Sequence, residues 1–83
     1  MQYRCEVYIQ PRADILDPQG DAVKNALDNL AFTGVEEVKV GKYLTVLVEA
    51  ANADAARESV DEMCRKLLAN PITEDYELKV SEA

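Results

Sequence analysis

At 83 residues the chain reads as one domain, 1–83, large enough for a core but too small for a deep enclosed active site, so a sizeable pocket would need a second chain. Sixteen acidic residues against nine basic ones leave a net charge of −7, which repels nucleic-acid phosphates and anionic lipid surfaces. Histidine is absent, which removes the usual near-neutral acid/base, the Ser-His and Cys-His nucleophile pairs and the common zinc sites; no catalytic, cofactor-binding or metal-ligating residue is assigned.

Tyr3 to Ile9 alternates strictly, with Tyr3, Cys5, Val7 and Ile9 on one face and Arg4, Glu6, Tyr8 and Gln10 on the other, as a half-buried strand does. The same alternation in "MQYRCEVYIQ" does not fit a signal peptide, and no run has membrane-spanning length, so a cytoplasmic location is expected. Pro11 ends the ladder. In "ILDPQGDAVKNAL", Asp17 suits an N-cap, Pro18 the first helical position and Asp21 the positive end of the helix dipole. Val23, Ala26, Leu27 and Leu30 then repeat at helical spacing, and Thr33-Gly34 is expected to break the helix.

Two apolar runs follow, Val35 to Val40 and Leu44 to Ala50. A three-residue loop, Gly41 to Tyr43, would pair Val40 with Leu44 and Val38 with Val46, placing the apolar set on one face. Asn52 is the expected N-cap of a second helix, with Ala56, Val60, Met63, Cys64 and Leu67 buried and Arg57–Asp61 and Glu62–Lys66 paired on the wet side. Asn70-Pro71 stops it, and Tyr76, Leu78 and Val80 alternate inward along a last strand. Cys5 and Cys64 both fall on apolar faces and are expected as free, buried thiols. The order predicts an α+β, ferredoxin-like βαββαβ sandwich: a four-stranded antiparallel sheet with two helices on one face.

The bare face of such a sheet carries Tyr8, Tyr43, Thr45 and Leu47 among charged neighbours and is a candidate self-association face. RNA-recognition folds stack bases on aromatics placed like Tyr8 and Tyr43, but Glu6, Glu49 and Glu77 argue against RNA here. An acyl-phosphate cradle after the first strand is unsupported, because "PRADILDP" lacks glycine and adds aspartates beside Arg12. Asp14, Asp17 and Asp21 lack the ligand spacing of a hard-cation loop.

Taken together, "ILDPQGDAVKNAL", "VEEVKVGKYL" and "MCRKLLANPITEDYEL" resemble the PurS family, small subunits of phosphoribosylformylglycinamidine synthase, over nearly the whole chain. The resemblance implies a non-catalytic assembly subunit in de novo purine biosynthesis. Its partners would be a glutaminase subunit and a large synthetase subunit, with ATP, magnesium and glutamine used by the assembled ligase and none bound by this chain alone. It also implies a homodimer or dimer of dimers. Lys39 departs from the family's usual arginine, and Ala31 from the glycine that commonly closes the first helix. Asp17, Pro18, Gln19, Gly20, Lys42, Tyr43, Asn70 and Pro71 are the candidate partner interface; Gln19 and Gly20 stand out because helix formation requires neither. A free-standing regulatory module that binds a small ligand between two copies is the competing reading, and a ligand-induced rise in melting temperature would mark it.

Overall fold

The computed structural model describes residues 1–83. The alternating N-terminal run forms β1 (Gln2–Pro11), the central strand of a three-stranded antiparallel sheet ordered β2-β1-β3, with β2 at Lys42–Glu49 and β3 at Glu74–Glu82. Val7 lies between Leu44 and Leu78, and Cys5 between Val46 and Val80. Helix α1 spans Pro18–Asn29 and α2 spans Ala53–Met63, the latter continuing through a π-helical turn, Cys64–Leu68.

Tyr3, Cys5, Val7 and Ile9 from β1 meet Ala56, Val60, Cys64 and Ala69 in one buried cluster, flanked by half-buried Leu44, Val46, Val48, Tyr76, Leu78 and Val80. Asn52 caps α2 as its side-chain type predicts, accepting the Ala55 N–H at 2.8 Å. Glu62–Lys66 pairs at 2.8 Å, whereas Asp61 pairs with Arg65 at 3.1 Å, and Arg57 turns inward to donate to the Leu78 carbonyl. Leu67, expected in the core, is 81% exposed. The π turn is the reason: the Ala69 N–H bonds the Cys64 carbonyl, five residues back, so the buried stripe Ala56-Val60-Cys64 continues to Ala69 and passes Leu67 by. Cys5 and Cys64 are free and buried, and burial pushes both thiols up from their ordinary pKa.

The other half of the expected sandwich does not close within the chain. Residues 35–40 form no strand, so the sheet has three strands rather than four and the expected Val40–Leu44, Val38–Val46 hairpin is absent. Helix α1 does not lie beside α2 on the sheet either. Val23 is 42% and Leu30 68% exposed, and Gly20 is the only buried residue of α1. Residues 12–41 form an arm that leaves the sheet after Pro11 and returns at Lys42, at one end of the molecule.

Helix α1 ends earlier than the Thr33-Gly34 break expected from sequence. The Ala31 N–H bonds the Asp28 carbonyl and the Phe32 N–H bonds the Leu27 carbonyl, both at 3.1 Å, while Ala31 takes φ 67°. This is a Schellman closure with alanine where glycine is preferred.

Size registers the protruding arm. The radius of gyration is 16.3 Å, against about 12 Å for a compact chain of this length. The accessible surface is 5961 Å², roughly 1,000 Å² above the value of about 4,900 Å² that a compact monomer of this mass exposes.

Candidate partner interface

The root of the arm is tightly built. Asp17 precedes α1, but its carboxylate makes no capping bond; Oδ2 accepts the Val40 N–H at 2.8 Å instead. That contact, with the nearby Gly20 and Gln19 amides and the Lys39 charge, holds the Asp17 pKa below its ordinary value. A Cβ on Gly20 would come within 2.0 Å of the Val38 carbonyl oxygen. The close approach that Gly20 permits is therefore made inside the chain, by segment 38–40 against the first turn of α1. Lys39 completes the clasp, donating to the Ile15 carbonyl at 3.1 Å. Gly41 is pressed in the same way against the Ile9 carbonyl, where a Cβ would lie 2.3 Å away.

Asn70 and Pro71 stand beside this root, because β3 begins where β1 ends. The Asn70 side chain accepts the Ile72 N–H at 3.0 Å, its backbone N–H donates to Glu74 at 2.7 Å, and the Pro71 carbonyl accepts from Arg12 at 2.6 Å. Lys42 reaches the Leu68 carbonyl at 3.4 Å and Glu74 at 3.7 Å. Asp17, Gly20, Lys42, Asn70 and Pro71 thus gather at one end of the molecule, each with an intrachain partner, while Pro18 and Gln19 open α1. Arg12, with Asp75 3.7 Å from its Nε, ties this loop down and was not singled out as structural in the sequence; its place just after the strand-ending Pro11 was the available signal.

Tyr43 belongs to the opposite, solvent-facing side of the sheet. Its ring stacks on Tyr8 with centroids 4.9 Å apart, and the Thr45 hydroxyl donates to the Tyr43 hydroxyl oxygen at 3.4 Å. Leu47, 55% exposed, continues the patch, so Tyr8, Tyr43, Thr45 and Leu47 do form one continuous face. The Tyr8 hydroxyl donates to Glu6 at 3.0 Å, a bond that chiefly raises the Tyr8 pKa. Apolar residues of the arm that the sequence reading left aside are also bare: Leu16 is 87% and Phe32 55% exposed.

A cleft of about 230 Å³ is lined by Tyr8, Gln10, Asp75, Tyr76 and Glu77. A second, of about 320 Å³, lies at the arm root between Gln10, Pro11, Ala13, Glu37, Lys39 and Asp75. In the second, the Lys39 ammonium lies 3.5 Å from the Glu37 carboxylate, and no three His, Cys, Asp or Glu side chains converge as metal ligands do. No helix is long and apolar enough to cross a membrane. The exposed apolar surface is instead of the kind that other proteins cover.

Comparison with known proteins agrees. Residues 4–82 match the PurS model, described as phosphoribosylformylglycinamidine (FGAM) synthase. The PurS subunit of phosphoribosylformylglycinamidine synthase from Methanocaldococcus jannaschii is 41% identical over 94% of each chain. Bacillus subtilis PurS has the same fold, with a TM-score of 0.87 at 41% identity over 96% of this chain and 99% of that one. A chain in the structure of PurLQS from Thermotoga maritima superposes with a TM-score of 0.88, at 30% identity over 98% of this chain and 99% of that one. With the three-stranded sheet, the two helices and nearly every residue accounted for in this match, the chain belongs to the PurS family of phosphoribosylformylglycinamidine synthase subunits.

Proposed function

We propose that this chain is the non-catalytic assembly subunit of a phosphoribosylformylglycinamidine synthase, and that it works as a self-associated unit bridging the glutaminase and ATP-dependent synthetase subunits in purine biosynthesis. The observation that carries the self-association is the arm. Its helix has an apolar side with nothing beneath it, and the chain exposes about 1,000 Å² more than a compact monomer, close to the ~800 Å² that each partner contributes to a standard interface. In this pairing, the arm of each copy lies on the sheet of the other. Helix α1 fills the empty place beside α2, over Leu44, Val46 and Val48 of β2, and residues 35–40 supply the fourth strand. The ferredoxin-like sandwich is then completed across two chains.

In this reading the ATP, magnesium and glutamine of the reaction are handled by the partner subunits. Amidine formation by the purified synthetase and glutaminase subunits, with glutamine or ammonium as nitrogen source, tests the role. Dependence of the glutamine reaction alone on this chain is the expected result; indifference of both reactions would refute the assembly reading. Self-association is tested separately by Leu30→Asp/Phe32→Asp, which is expected to halve the sedimentation mass. Unchanged mass would remove the arm from the interface.

A further inference from the structure

The arm leaves and rejoins the body through two connections, and no hydrogen bond or ion pair joins residues 13–41 to the body. The two residues that bound this stretch make the ties instead. Arg12, on the outgoing connection, gives its backbone N–H to the Thr73 carbonyl at 2.9 Å and its Nη2 to the Pro71 carbonyl at 2.6 Å. Lys42, where the chain returns, reaches the Leu68 carbonyl at 3.4 Å and Glu74 at 3.7 Å. Both therefore grip one segment, the turn from Leu68 to Glu74 that joins α2 to β3, with Arg12 at its middle and Lys42 at its two ends.

The turn offers what two cations seek. A helix leaves its last carbonyls without intrahelical partners and its C-terminal end partly negative, and Leu68 closes the π turn that ends α2. The grip also has slack. Arg12 Nε is buried with no hydrogen-bond partner, because Asp75 stands 3.7 Å away, beyond hydrogen-bond reach. Beside it lies room to move: the cleft of about 320 Å³ has Gln10, Pro11 and Asp75 of the body on one side and Ala13, Glu37 and Lys39 of the arm on the other. Asp17, Gly20 and Lys39 fasten the two connections to each other, so a movement at the root carries α1 with it. Helix α1, Pro18–Asn29, is about 18 Å long, and a small rotation at its root becomes a large displacement at its far end.

We infer that the turn between α2 and β3 steers the arm: Arg12 and Lys42 clamp it from the two connections of the root, and this clamp sets the direction in which α1 presents its bare apolar side. Releasing the clamp lets the arm swing into the cleft. A direction fixed beforehand lowers the ordering cost of any contact that the arm makes. The clamp lies within one chain and is independent of what covers the arm, so its test does not turn on the assembly role. Spin labels at Asn29→Cys on the arm and Glu58→Cys on α2 read the arm's direction as a distance distribution. Labelled chains refolded with excess unlabelled chain give within-chain distances alone, and Cys5 and Cys64, both 0% exposed, keep their thiols from the label. Arg12→Ala and Lys42→Ala should each broaden the distribution, and Arg12→Ala/Lys42→Ala should at least double its width. Thr45→Cys with Glu58→Cys, both in the body, should stay narrow in every variant. Lys79→Ala, which removes an ammonium that faces the Tyr8 ring and not the turn, should leave both distributions unchanged. An unchanged arm distance in the double variant overturns the inference, because the backbone alone would then fix the arm. Equal broadening of the body pair also overturns it, by placing the effect in the fold of the body, and so does broadening by Lys79→Ala, by making the effect a general loss of charge.

Discussion

The sheet with α2 and the arm are built from similar sequence and end in opposite states. In the body, the alternating inward residues of β1 and the four-residue spacing of Ala56, Val60 and Cys64 leave those side chains 5% exposed or less. In the arm, Val23 and Leu30 recur at equally regular helical spacing and face water. Amphipathicity states which side of an element must be covered; it does not state which chain supplies the cover. At the root of the arm, Asp17, Gly20 and Lys39 nevertheless tie the start of α1 to segment 38–40.

The sharpest separation of the two regions is expected from Ile9→Ala. Ile9 is 1% exposed between body elements, and truncating it should cost about 2–5 kcal/mol through lost burial and a residual cavity. Urea denaturation would read the loss, and sedimentation should show association retained at concentrations where the variant is folded. A loss below about 1 kcal/mol would mean that the body is not the stable unit.

Gly20→Ala should come next, at about 1–3 kcal/mol, because the new methyl meets backbone that cannot rotate away. Its signature is local. Amide exchange at Val40 should quicken while the amides of β1 keep their protection. If exchange at Val40 does not change, segment 38–40 is not seated on α1.

How much could be read beforehand divides along the same line. β1, α2 and β3 were legible because their patterns are satisfied within the chain. The run 35–40 carries a strand-like pattern too, but nothing in its residues says that it pairs with no strand of its own chain. Gly20 stood out as a glycine that helix formation does not require and was expected to face another chain; the neighbour that needs it, the Val38 carbonyl, lies in the same chain eighteen positions away and became visible only in three dimensions. Leu67 was misplaced by one π turn, which has no composition signal. The Tyr8–Tyr43 face was legible from alternation, although Tyr43 was expected in a loop and lies within β2, level with Tyr8.

Ala31→Gly tests the end of the arm helix in the stabilising direction. Alanine at φ 67° carries a steric cost that glycine avoids. Part of that gain is lost to the greater freedom of glycine in the unfolded chain, leaving roughly 0.5–1 kcal/mol. A higher urea midpoint at unchanged slope would confirm it; a lower midpoint would mean that the Schellman closure is not what ends α1.

The smallest effect at neutral pH belongs to Tyr76, which donates to Asp61 at 2.6 Å. That bond first, then burial and the Asp61 charge, pushes its pKa up to about 12. In the unfolded chain a tyrosine ionises near ~10. Below that value both states hold the proton and stability is independent of it. Between the two values the unfolded state gives up the proton more readily than the folded one, so stability falls as pH rises through this window. Tyr76→Phe removes the titrating group and should flatten the slope. Denaturation compared at about pH 9 and about pH 11.5 reads the difference. An equal slope in both proteins would place the alkaline loss elsewhere, with Tyr8 the next candidate, since its pKa is also raised by a carboxylate bond. Because Tyr8 stands on the solvent-facing side of the sheet and Tyr76 stands beside α2, the two outcomes would assign alkaline sensitivity to the open sheet face or to the packed side of the body.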